Sequence, residues 1–137
     1  MDTIAYAVAY SEAAKRLLPN EGGRYKLVVP FYAMIASAIE NALKAVLEFR
    51  QVPPNLKRWT RSHDLTALRL LAADVGFDLS QPLAEFIDTL STPHKEHHFR
   101  YPQKAGVPHL PRPEPSWSMT EHLLRQVFDL IGGPARV

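Results

Sequence analysis

Cysteine is missing from all 137 residues of this chain. Its absence excludes a disulfide scaffold, a thiolate metal site and a thiol nucleophile, and it fits a reducing, cytoplasmic setting. Long apolar runs are missing as well: nothing approaches the roughly 18 residues that mark a membrane-spanning helix. The opening MDTIAYAVAYSEAAKRLL contains acids and lacks a basic start, so it does not read as a secretory leader. Glycine is scarce, with only 6 residues, and forms neither a phosphate-cradling loop nor a Gly-x-Ser-x-Gly nucleophile elbow. Excess charge is also small, 16 Lys and Arg against 14 Asp and Glu, so bulk charge does not demand a nucleic-acid partner. What is present is 46% hydrophobic residues, too many for a disordered chain. The length suits one domain over residues 1–137 with a core large enough to need no staples.

Proline supplies most of the punctuation. Six of the 12 prolines fall at 93, 102, 108, 111, 113 and 115. Each lacks the donor that a helix interior uses, which predicts one long, extended surface connection over 93–115. The remainder reads as five helices. The first runs from Asp2, an N-cap, to about Leu18, and its Ala5, Ala7, Ala9, Ala13 and Ala14 would let another helix approach closely. The second runs from about Pro30 to Gln51. Ile35, Ile39, Ala42, Val46 and Phe49 form its apolar stripe, opposed by Ser37, Glu40, Asn41, Lys44 and Glu48. Lys26 to Val29 has strand-like composition, but Pro30 follows at once. A third helix runs from Asp64 to Gly76, which suits a left-handed cap. A fourth follows Ser80, and a fifth begins after Trp117 with Ser118 and Glu121 at capping-box spacing. Five amphipathic helices predict an all-α bundle.

Several residues could carry chemistry. Arg50, Lys57, Arg58, Arg61 and Arg69 face a single acid, Asp64, with Trp59 among them. They could grip a phosphate backbone and stack a base, or form a solvated loop whose tryptophan packs on the bundle. His63 is a general acid/base candidate, or a residue that hydrogen-bonds the neighbouring loop, while Asp64 caps the third helix. His94 with His97 or His98 has metal-ligand spacing, but no third ligand stands at a standard spacing, so no metal or other cofactor is assigned. Arg100 could hold a phosphate or pair with a carboxylate such as Glu40, with Tyr101 packed at the bundle end. Glu40 and Lys44, at i,i+4, form by default an exposed ion pair worth about 0.3–0.5 kcal/mol.

The order of these pieces resembles the bacterial branch of the HEPN superfamily (higher eukaryotes and prokaryotes nucleotide-binding domains). The matching residues are Ala38-Ile39-Glu40-Asn41-Ala42-Leu43-Lys44-Ala45-Val46-Leu47, then Ser62-His63-Asp64-Leu65 with Leu68 and Gly76, and later Phe99-Arg100-Tyr101-Pro102. The resemblance implies an antiparallel helical bundle, commonly a homodimer, with RNA, nucleotide or a nucleotidyltransferase protein as candidate partners; the missing apolar run implies no membrane partner. Glu40, Lys44, His63, Asp64, Arg100 and Tyr101 become the candidate ligand-binding residues. Many such proteins are metal-independent endoribonucleases, some of them toxins of toxin-antitoxin pairs. In those, an Arg and a His with four to six residues between them on a late helix meet their copies across the dimer. Here His109 follows Arg100 with eight residues and two prolines between. Arg58 and His63 have four residues between them but lie too early. Arg100, His63 and Arg58 are thus the catalytic candidates of a chain expected first as a non-enzymatic binding or accessory module. The alternatives are the endoribonuclease and a structural dimerisation protein.

Overall fold

The computed structural model describes residues 3–18, 28–99 and 110–132. Within them the chain is all-α, as its periodicity implied, with no strand among the described residues. We label the helices α1 (Thr3–Arg16), α2 (Val28–Phe49), α3 (Leu65–Asp74), α4 (Gln81–Lys95) and α5 (Pro113–Ile131). A 3-10 turn, Leu56–Arg61, lies between α2 and α3.

The bundle is organised around α2, which packs against α1, α3, α4 and α5. A helix surrounded on several sides must be apolar nearly all round. Accordingly Phe31, Tyr32, Ile35, Ala36, Ile39, Ala42, Leu43, Val46 and Leu47 are all fully buried. The two-stripe reading of this helix therefore needs correction: Glu40 and Lys44, on the supposed solvent face, are buried, whereas Phe49 is 46% exposed. Helix α2 also starts earlier than its composition suggested. Val28 and Val29 are helical rather than strand-like, and Pro30, third in the helix, loses no bond there. Tyr32 reaches across the core, donating to the Pro111 carbonyl and lying 3.1 Å from Ser116 Oγ, which ties α2 to the start of α5.

The face of α1 set by Thr3, Ala7, Ser11 and Ala14 is buried, and α1 packs on α2. Ala7 and Ala14 are thus used within the chain and do not form a free face for a second copy. Leu65, Leu68, Leu71 and Ala72 of α3, and Leu83, Phe86, Ile87 and Leu90 of α4, point inward as their spacing required. Burying one such side chain contributes about 1.5–3 kcal/mol.

The proline-rich stretch is the main departure from the sequence reading. Pro93 lies inside α4, and Pro113 and Pro115 lie in the first turn of α5, where no backbone donor is needed. The expected extended connection is therefore shorter at both ends. Helix α5 begins before Trp117, so Ser118 and Glu121 are helix-interior residues and not a capping box; Arg112 takes the N-cap position without a side-chain bond. Residues 100–109 lie outside the described part.

Three helices end in the same hydrogen-bonded motif, with a left-handed residue just past the cap. In α3 that residue is Gly76 (φ 91°), with Gly76 N–H donating to Ala73 and Phe77 N–H to Ala72. In α2 it is Gln51 (φ 56°), with bonds from Gln51 to Glu48 and from Val52 to Leu47. In α4 it is His97 (φ 60°), with bonds from His97 to His94 and from His98 to Pro93. The turn at the end of α4 sets the direction of two histidines.

Candidate functional site

Glu40 sits midway along α2 with its side chain only 11% exposed. A buried carboxylate is costly unless partnered, and this one has a partner on every side. Its Oε2 accepts from Lys44 Nζ, one helical turn on, at 2.9 Å. Its Oε1 lies 2.8 Å from His63 Nδ1 and 2.8 Å from His94 Nε2. Three elements thus converge on one carboxylate: α2, the link into α3, and the end of α4.

Local sequence explains each approach. Lys44 also donates to the Thr60 carbonyl at 3.2 Å, which docks the 3-10 turn beside α2. Trp59 in that turn is buried, and its Nε1 donates to the Pro53 carbonyl at 2.9 Å. Its role is packing, so the base-stacking option for this residue is withdrawn. Asp64 then caps α3 by accepting from Ala67 N–H at 3.0 Å, as expected. It also accepts from Ser91 Oγ at 3.2 Å, and Ser91 Oγ accepts from Thr66 N–H at 3.1 Å. Asp64 therefore fastens the start of α3 to α4, one turn before His94. The neighbouring His63 turns toward Glu40 rather than capping the loop.

Burial alone would push the Glu40 carboxyl upward. Hydrogen bonds from His94, His63 and Lys44, together with the Lys44 charge, more than offset it and hold the group at about 2. Glu40 is consequently an anion near neutral pH, and the two imidazoles each direct one N–H at it. The His63 ring is 48% exposed on its side chain, while that of His94 is 14% exposed. The His63 ring lies edge-on to both His94 and His97, with centroids 5.8 Å and 5.7 Å away.

A cleft of about 150 Å³ opens beside this group. Tyr10 from α1, Ser37 and Asn41 from α2, and Phe99 complete its wall with Glu40 and the three histidines. Ser37, Glu40 and Asn41 of the polar stripe of α2 thus line a cleft. A larger cleft of about 530 Å³ lies between α1 and α5, edged by Glu12, Glu121, Arg125 and Asp129. It contains no histidine, and its charges are of both signs.

The structure brings Glu40, Lys44 and His63 together, with Asp64 behind them as an anchor. Arg100 and Tyr101 lie outside the described residues, as does His109. Arg58 is exposed on the 3-10 turn in a left-handed conformation (φ 53°). The Glu40–Lys44 pair is buried, correcting the exposed ion pair that i,i+4 spacing suggested. Of the basic segment, Arg69 is consumed by Asp88 through bonds of 3.0 Å and 2.9 Å, and Arg50 lies over the Phe49 ring at 5.7 Å. Lys57, Arg58 and Arg61 remain exposed. His94 pairs with Glu40 and His63 rather than with His97 or His98, and no spacing rule links residues 40, 63 and 94. Comparison with known protein families, with curated proteins and with solved structures gives no match to this chain.

Proposed function

We propose that the chain is a HEPN-like helical binding module that engages single-stranded RNA at the histidine cleft. The observation that carries this reading is the gathering of His63 and His94 on one oxygen of Glu40, with His97 beside them. Each ring bound to Glu40 keeps a second nitrogen. In the imidazolium form that nitrogen is a donor suited to a phosphate oxygen. The exposed Lys57, Arg58 and Arg61 sit on the turn that docks against Lys44 and would hold neighbouring phosphates. The matching order of the Glu40, His63-Asp64 and Phe99 segments supports the same reading.

Fluorescence anisotropy with a short labelled RNA, in the presence of a chelator, tests it. Saturable binding is expected, weakened by H63A. The triple variant K57A/R58A/R61A should flatten the dependence of log Kd on log salt by about 2, if three phosphates are released. Absence of saturable binding at low salt would contradict the proposal.

A metal-independent endoribonuclease is the second reading, and the Glu40–His63 contact favours it. With Nδ1–H held by the carboxylate, neutral His63 offers Nε2 to a 2′-hydroxyl proton. Cleavage of the same RNA under chelator, abolished by H63A, would establish this activity. An RNA bound but left intact would exclude it.

A further inference from the structure

We infer that Glu40 Oε1, His63 Nδ1 and His94 Nε2 form a binding site for a first-row transition-metal dication of the zinc class. This goes beyond the RNA reading and does not rest on it. Two imidazole nitrogens and one carboxylate oxygen form a donor set that such ions take. The three atoms lie within 4.8 Å of one another, and each nitrogen is 2.8 Å from the shared oxygen. In a tetrahedral site with bonds of about 2.0–2.1 Å, donor atoms stand about 3.3 Å apart. The two nitrogen–oxygen contacts open by about half an ångström to reach that spacing, and the nitrogen pair, within 4.8 Å, is brought to it by rotation of the two rings.

The surroundings suit the task. Lys44 occupies Glu40 Oε2, so the carboxylate presents a single oxygen and binds as a monodentate ligand. Asp64, through Ser91, fastens the His63 segment to α4, which holds the two imidazoles in register. All three residues line the cleft of about 150 Å³, from which a fourth ligand would come. Several waters, at about 30 Å³ each, fit there. Three protein ligands plus an open position is the pattern of sites that bind an exchangeable ligand, in contrast to closed structural sites. Proton balance is simple. From neutral rings, the proton on His63 Nδ1 passes to Nε2 and that on His94 Nε2 passes to Nδ1, freeing both lone pairs with no net release.

Titration of the chelator-stripped, dialysed chain with Co²⁺ tests the site. The expected result is one ion per chain with the strong visible absorption of a four-coordinate centre. H63A and H94A should each weaken binding roughly 1,000-fold, beyond the 10–100-fold typical of outer-shell changes, whereas H122A, on an exposed turn of α5, should leave it unchanged. Because His63 is half-exposed, H63A keeps the fold and decides the matter if H94A does not; circular dichroism checks both. Long-range ¹H–¹⁵N spectra with Zn²⁺ should show the metal on His63 Nδ1 and His94 Nε2. Unchanged affinity in H63A would overturn the inference. So would loss of binding in H97A/H98A with H63A unaffected, the signature of adventitious binding at the end of α4.

Discussion

Two carboxylates in this protein each collect three side-chain hydrogen bonds, and they are built for different purposes. Asp88 on α4 accepts from Thr66 Oγ1 at 2.8 Å and from Arg69 Nε and Nη2 of α3. Its side chain is 39% exposed, and its partners use their donors on it in a planar, bidentate arrangement. That network joins two neighbouring helices and leaves little capacity for anything else. Glu40 is buried, and two of its three partners are histidines that line an open cleft. The first arrangement is a fastening at the surface. The second places titratable, exchangeable groups over a fixed negative charge, an organisation suited to binding.

The largest expected effect distinguishes the two sites by stability. E40A leaves the Lys44 ammonium buried without its partner and should cost about 3–5 kcal/mol in urea denaturation. The double variant E40L/K44M removes both charges and should recover most of that loss, since apolar replacement of a buried pair is often near neutral. A double variant as unstable as E40A would mean that the histidine contacts, and not the ion pair, dominate.

Acid titration is next in size. Glu40 is held at about 2 against its ordinary 4.5, in a setting where Lys44, His63 and His94 face it. A carboxyl depressed by folding stabilises the native state fully above its unfolded value. That stability is lost as pH falls from about 4.5 toward 2. The contribution is about 3 kcal/mol, and denaturation midpoints of the wild type should fall more steeply over this window than those of E40L/K44M. Parallel curves would remove Glu40 from the acid response.

The helix ends give a smaller but sharper contrast. Helices α3 and α4 close with the same motif, yet the left-handed position holds Gly76 in one and His97 in the other. A side chain there is strained, so H97G should stabilise the fold by about 1 kcal/mol in thermal melts while weakening RNA binding. Destabilisation by H97G would show that the His97 ring is needed for packing. At the surface, R69A should cost about 0.5–1 kcal/mol, in keeping with a partly exposed pair. A loss comparable to that of E40A would erase the contrast between the two carboxylates.

Much of the fold was legible in the sequence because its signals are local. The inward residues of α3 and α4, the Asp64 cap and the Gly76 end all depend on neighbours a turn or less away. The prolines misled because their effect depends on position: Pro93 is accommodated near the end of α4, and Pro113 opens α5. The motifs around Glu40 and His63 were visible as residues, but their meeting was not. Helix α2 is enclosed by four others, so a face that looks polar in sequence becomes an interior site when its charges are partnered across the bundle. The partner His94 is 54 residues from Glu40, a separation to which helical periodicity is blind. Tyr10, Ser37 and Asn41 became cleft walls through the same tertiary packing.

The central claim is that the Glu40-held histidines form a ligand site and are not only a buried fastening. Its most direct test is a long-range ¹H–¹⁵N titration of the histidine rings with a short single-stranded RNA under chelator. Saturable shifts are expected at His63 and His94, the two rings held by Glu40, with His122 on α5 unmoved. Shifts confined to His122, or none at RNA concentrations that saturate anisotropy, would place the ligand elsewhere and contradict it.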